Sequence, residues 1–238
     1  MTNSSSYAKS SLYNKFFGKN SLSKKGGAKG EELMELIKEK KIFLVSVFAN
    51  LITQIAITYY VMVNYSKKPP ALILLFIVQL ILICVIAFVP MPPWLKFILF
   101  CIFSFISGII FSTMNANKEV IKMALVGSMS IFVFMFLIGL ALIFFGVFLG
   151  TKFAAGLFFS LLLLIIFQIV VIFSGKSPIY QRAIYFISLI LFSLYIIYDT
   201  NAILQRNYNG DFITASLDYY LDIFNIFIDL IGIDSLND

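Results

Sequence analysis

The amino-acid sequence predicts an all-α integral membrane protein, a compact bundle of about seven transmembrane helices, on three observations. Hydrophobic residues make up 61% of the 238 residues and charged residues only 13%, whereas a soluble domain needs about a quarter charged residues to solvate its surface. The apolar residues gather into seven runs, each near the ~20 residues that an α-helix needs to cross the hydrocarbon of a bilayer. The breaks between runs are short and rich in Pro, Gly, Lys and Asn, so successive spans are expected to be antiparallel neighbours.

Residues 1–41 read as a basic polar tail, expected on the cytosolic side, with stretches such as SLSKKGGAKG from Ser21 to Gly30. Too few apolar residues are present before about residue 30 to form a packed structure. Glu31 to Lys41 have the pattern of a short amphipathic helix at the membrane surface. A cleavable signal peptide is not expected, because the tail is too long and no small-residue cleavage motif follows the first apolar run.

The transmembrane domain is placed at 42–233, with spans at 42–63, 71–89, 94–113, 121–149, 153–173, 178–203 and 212–233, followed by a short acidic tail, 234–238. Lys67-Lys68-Pro69-Pro70 and Pro90-Met91-Pro92-Pro93 end the first two spans. Asn115 to Lys122, Gly150-Thr151-Lys152, Ser174 to Pro178 and Gln205 to Asp211 end the next four. Trp94 falls where an interfacial aromatic belongs. Lys24, Lys25, Lys29, Lys38, Lys40 and Lys41 precede the first span and argue for a cytosolic N-terminus. The later loops oppose that argument, with Lys67, Lys68, Lys118, Lys122, Lys176 and Arg182 on the other side.

No histidine occurs, which removes the commonest metal ligand and the commonest general base near neutral pH. Cys84 and Cys101 lie within apolar runs without CxxC spacing, and read as buried free thiols. The chain is not expected to be an enzyme, to hold a cofactor or a tightly bound metal, or to bind nucleic acid.

Charge is strongly segregated. Nine of the 18 basic residues precede position 42, and all seven aspartates lie at or after position 199. At 100° per residue, Asp211, Asp218, Asp222 and Asp229 of the seventh run fall within about 40° of one another, with Asn225 on the same stripe. Such a stripe on an otherwise apolar helix faces a protein interior or a water-filled cavity. Asp199 ends a 16-residue uncharged run in the sixth span, with Ser188 and Tyr195 on its side. Counted from a turn at 204–212, Asp199 lies ~7 Å and Asp222 ~15 Å along their helices, near one another in depth. The plainer reading of Asp211 is an N-cap of the last helix, with Thr214 three residues on. Asp234 and Asp238 read as solvated tail charges, and Asp229 as a residue of the far interface.

Tyr198-Asp199-Thr200-Asn201, then Asn209-Gly210-Asp211, then Ser216-Leu217-Asp218-Tyr219-Tyr220-Leu221-Asp222-Ile223-Phe224-Asn225, resemble the C-terminal signature of the BAX inhibitor family, the transmembrane BAX inhibitor motif proteins. The Phe105-Ile106-Ser107-Gly108 turn of the third helix is also similar. The resemblance extends over about 42–233 in segment count and spacing, and is specific over 195–228. It implies a seven-helix bundle that leaks Ca2+ from a store and suppresses cell death. It also implies that Asp199 and Asp222 match the aspartate pair that senses pH and controls the pore. The chemistry is consistent: carboxylate oxygens suit a hard cation, and two carboxylates in one apolar site tend to share a proton. Some members carry an arginine near the second helix that latches the aspartates. Here that region reads Val89-Pro90-Met91-Pro92-Pro93-Trp94-Leu95-Lys96, so either Lys96 is the latch cation or the latch is absent.

The expected function is therefore a pH-sensitive Ca2+ leak channel in the endoplasmic reticulum or another internal membrane, if the host is eukaryotic or viral. Asp199 and Asp222 form the ion pathway, and Asp218, Asn225, Asp229 and Tyr195 the supporting polar stripe. Its partners are the bilayer, Ca2+ as permeant ion and apoptosis-regulating membrane proteins. The alternative is a non-conducting membrane protein that inhibits apoptosis by binding such partners. An intramembrane aspartyl protease would need a Gly-x-Gly-Asp, which the chain lacks. A retinal protein would need a lysine in the last helix, and none follows Lys176.

Overall fold

The computed structural model describes residues 29–65, 71–114, 116–173, 178–205 and 208–236. Among them are eight helices: α1 (Lys29–Glu39), α2 (Lys41–Asn64), α3 (Leu72–Phe88), α4 (Pro93–Phe111), α5 (Lys118–Phe144), α6 (Thr151–Phe173), α7 (Pro178–Gln205) and α8 (Phe212–Asp234). The seven expected spans are α2 to α8. The tail before residue 29, with Lys24 and Lys25, lies outside the described residues, as do Lys67 to Pro70, Lys176, Arg206 and Asp238.

The helix ends follow from local chemistry. Pro93 sits at the first position of α4, where its missing N–H costs nothing. Asn117 caps α5 by accepting the Val120 N–H at 2.8 Å, with Glu119 in the first turn. The fourth apolar run reaches residue 149, but its helix stops at Phe144. Gly146 takes a left-handed φ of 74°, and Val147 N–H bonds Leu142 O while Gly146 N–H bonds Ile143 O. These paired bonds satisfy the last carbonyls and terminate the helix inside an apolar run, which hydropathy alone does not reveal.

Among the described residues, five helices are long and apolar enough to cross a membrane: α2, α4, α5, α6 over Thr151–Val171, and α7. The 17-residue α3 is apolar but shorter. The 23-residue α8 is long enough but carries Asp218, Asp222, Asp229 and Asp234. Side chains such as Ile73, Phe76, Ile77 and Leu80 on α3 and Phe159, Leu163 and Ile166 on α6 are exposed on the protein, as a lipid-facing surface requires. Lys40, between α1 and α2, is partly covered, and that burial pushes its ammonium down to about 8 against the upward pull of Glu39.

The chain divides into two compact units, one holding Glu39–Asn115 and Arg206–Tyr220, the other Ala116–Gln205 and Leu221–Asp238. In the first, α4 packs on α2 and α3; in the second, α7 packs on α5 and α6. Short loops predict contacts between successive spans, as in α3–α4 and α6–α7. The α2–α4 and α5–α7 pairs join helices two apart, which run parallel. Each of these pairs closes over a glycine. A Cβ on Gly108 would lie 2.6 Å from Val61 Cβ and 2.7 Å from Thr58 O, and one on Gly139 would lie 2.7 Å from Thr200 Cβ. Small residues of this kind let membrane helices approach closely enough for dispersion and polar contacts to hold them. Gly108→Ala must push α4 off the α2 backbone. It is expected to destabilise the protein by about 1–3 kcal/mol, the usual range for overpacking. A thermal melt in detergent checks this, and an unchanged melting temperature contradicts it.

The cysteines need a correction. Both are free, but Cys84 is exposed and Cys101 is partly exposed, so neither is a buried thiol. Cys84 lies on the outward side of α3, where apolar burial in lipid looks the same in sequence as burial in protein. Cys101 receives a long contact from Gln54 Nε2 at 3.5 Å.

Candidate functional site

The acidic stripe of α8 is divided in its surroundings. In the first unit, Asp211 caps the helix as its spacing predicts: its Oδ1 accepts the Thr214 N–H at 3.0 Å and its Oδ2 the Thr214 hydroxyl at 2.7 Å. The turn before it uses left-handed backbone at Asn209 and Gly210, residue types that tolerate that conformation. Lys96, three residues into α4, donates to Asp211 Oδ2 at 2.5 Å and to Thr214 Oγ1 at 3.0 Å. The lysine considered as a latch for the aspartate pair is thus ion-paired to the capping residue of α8 instead. Asp211 and Lys96 both sit at the starts of their helices, so they meet at one end of the first unit. Asp218 is partly exposed and accepts the Tyr208 hydroxyl at 3.4 Å.

Below that ion pair, the first unit contains a buried polar ladder that the sequence reading missed. Asn50, Gln54 and Thr58 recur every fourth residue on one face of α2. Asn50 donates to Ser216, and Gln54 donates to Asn50 at 3.1 Å and accepts from Ser104 at 2.8 Å. Thr58 hydrogen-bonds the Tyr220 hydroxyl and Ser104 O. The spacing was visible in the sequence as three amide or hydroxyl side chains at i, i+4 and i+8 of an apolar span. Phe100 and Phe103 enclose the Tyr220 ring at 5.3 and 5.6 Å between centroids.

In the second unit, Asp199 on α7 and Asp222 and Asp229 on α8 are 1%, 4% and 3% exposed. Their neighbours in the signature have separate tasks. Thr200 packs against Gly139. Asn201 accepts the Leu149 N–H at 2.9 Å and donates to Val147 O at 3.2 Å, which secures the α5–α6 connection to α7. Asn225 is partly exposed and turns back to Leu221 O at 2.7 Å.

Three contacts fix the register of α7 against α8. Arg182 donates to Leu236 O at 2.7 Å, Tyr185 lies over Gly232, and the Ser188 hydroxyl hydrogen-bonds Asp229. Continued residue for residue, this antiparallel register brings Tyr195 level with Asp222. Asp199 then lies about 6 Å, roughly one helical turn, nearer the turn that joins the helices.

A family model described as "Inhibitor of apoptosis-promoting Bax1" matches residues 40–237, the whole helical part of the chain from the start of α2. The chain belongs to the Bax inhibitor family. Over 79 residues it is 35% identical to Protein LIFEGUARD 1 of Arabidopsis thaliana, a stretch that covers 33% of this chain and 34% of that protein. Over 77 residues it is 40% identical to an uncharacterised protein of Helicobacter pylori, covering 32% and 33% of the two. A second strain of that bacterium gives the same values. These matches span about a third of the length of the curated relatives. As a Bax inhibitor family member with five strongly apolar spans, the chain is a multi-pass membrane protein.

The α8 stripe predicts that this family member's last helix depends on its bundle for insertion. Two central aspartates cost roughly 5–7 kcal/mol on the insertion scale, and about a dozen Leu, Ile and Phe return roughly 4–6 kcal/mol. Fused alone to an insertion reporter, α8 is expected to insert poorly, and behind α7 to insert well. Full insertion by itself contradicts the idea that its polar face needs protein partners.

Proposed function

We propose that the chain is a pH-sensitive Ca2+ leak channel in an internal membrane such as the endoplasmic reticulum. It would restrain cell death by lowering the calcium that the store can release. The burial of Asp199 and Asp222 on adjacent helices of one unit supports this reading most strongly. A carboxylate held among apolar helices is costly and is kept for ion or proton traffic. Its oxygens are the donors that a hard cation prefers. The reading rests its response to pH on these two groups, because neighbouring carboxylates in an apolar site disfavour double ionisation. Family membership supports the link to apoptosis, through the description the family carries.

The test is release of Ca2+ from liposomes that contain the purified chain, followed with an external indicator between about pH 5 and 8, the range in which a shared proton acts. Faster release than from protein-free liposomes, with a rate that changes across that range, is the expected result. Release no faster than the protein-free control at any pH removes the channel reading. The chain would then act by binding apoptosis-regulating membrane proteins.

A further inference from the structure

We propose that Asp229, Ser188 and Tyr185 form a second cation station in the α7–α8 seam, separate from the Asp199 and Asp222 pair. The observation behind it is Asp229 itself. The residue is 3% exposed and one of its oxygens takes the Ser188 hydroxyl. The other, Oδ2, is buried and accepts no hydrogen bond from any described residue. An orphaned carboxylate oxygen in an apolar bundle is costly unless a proton or a metal cation completes it.

The surroundings are built to present oxygen to such a ligand. α7 offers Tyr185 and Ser188, at i and i+3 on one face; α8 offers Asp229 and Gly232 with the same spacing. Gly232 has a specific purpose, since a Cβ there would lie 2.4 Å from Tyr185 Cζ, the carbon that carries the phenol oxygen. The missing side chain lets the phenol lie over α8 one turn from the carboxylate. Carboxylate, hydroxyl and phenol oxygens, with no nitrogen or sulfur donor, select a hard divalent cation of the Ca2+ type. No group of three acidic, histidine or cysteine side chains that could hold a metal ion occurs among the described residues. With one carboxylate, the station holds its ion weakly and briefly, as a conducting path requires.

Its place suits that task. Asp229 is seven residues beyond Asp222 on the same face of α8, about 10 Å along the helix and toward the end where α8 finishes. A cation passing between the aspartate pair and that membrane face meets Asp229 on the way. Arg182, one turn outside Tyr185, is engaged with Leu236 O and marks the outer limit of the station.

The station is defined by binding, so it is tested without flux. The full chain in lipid nanodiscs is titrated with Ca2+ alone, and bound ion per chain is measured for wild type, Asp229→Asn, Gly232→Ala, Ser188→Ala and Asp199→Asn. Asp229→Asn is expected to lose one bound Ca2+ per chain, while Asp199→Asn keeps that site. Gly232→Ala removes no ligand but displaces the phenol, and Ser188→Ala removes one oxygen. Each is expected to weaken the same site by about tenfold, the usual cost of disturbing a supporting group. If Asp229→Asn fails to fold, these two milder variants carry the test. Unchanged stoichiometry and affinity in the folded variants overturn the proposal. Where the chain binds Ca2+ through Asp229 yet leaks none, the channel reading fails and the station stands. Where it leaks without Asp229-dependent binding, the station alone fails.

Discussion

Asp199→Asn and Asp222→Asn are each expected to flatten the pH dependence of Ca2+ flux in liposomes between about pH 5 and 8, the largest functional effect foreseen for any single change in this chain. An isolated, exposed aspartate titrates near ~3.9 and is silent over that range. The chain has no histidine to respond in its place. On the proposed reading the response comes from two carboxylates coupled through a shared proton, and removal of either one abolishes the sharing. The double variant is expected to behave like each single one, because two members of one coupled unit do not contribute additively. Asp234→Asn, at the partly exposed end of α8, is expected to leave the profile unchanged. Ca2+ flux of all four variants over the same pH range decides the matter. Single variants that keep the wild-type profile defeat the paired-aspartate mechanism and leave the membrane fold untouched.

Lys96→Met is expected to produce the largest loss of stability among charge-removing substitutions in the first unit. The ammonium is nearly covered, its partner Asp211 is about a quarter exposed, and the two are 2.5 Å apart. Removal of one member of a fully buried pair costs ~3–5 kcal/mol, whereas an exposed pair is worth ~0–1 kcal/mol. Asp211 keeps some water and its two bonds from Thr214, so about 2–3 kcal/mol is expected, between those limits. Lys96→Met with Asp211→Asn is expected to recover part of the loss. Asparagine still caps α8, and no uncompensated carboxylate then remains. The cycle is read from thermal unfolding of the four proteins in one detergent. Additive losses would mean that the ion pair does not couple the start of α8 to α4.

Helix existence was legible in the sequence, and helix partnership was legible only for some successive spans. The seven apolar runs became α2 to α8 because a bilayer accepts only backbones that satisfy their own hydrogen bonds, and that requirement acts on each run separately. The same local logic made Asp211 readable as a cap. It did not give Asp211 its second partner, since Lys96 lies more than a hundred residues away in sequence and carries no mark of its destination. Cys84 shows the converse failure: a thiol within an apolar run reads as buried, whether lipid or protein surrounds it.

For the candidate site, the sequence alone determined the kinds of groups and their angular positions. Asp222 and Asp229 share a face because helical geometry puts residues seven apart on one side, and Asp199 stands out because no other charge follows Arg182 within α7. Tertiary structure alone decided what each group meets. The contacts of Tyr185 with Gly232 and of Ser188 with Asp229 set the register that puts Asp222 level with Tyr195, and Gly108 and Gly139 decide which helices approach most closely. The physical reason is that span formation depends on the transfer of one segment from water to lipid. Register and pairing depend on close packing and hydrogen bonds between segments, and those energies exist only once the helices have met.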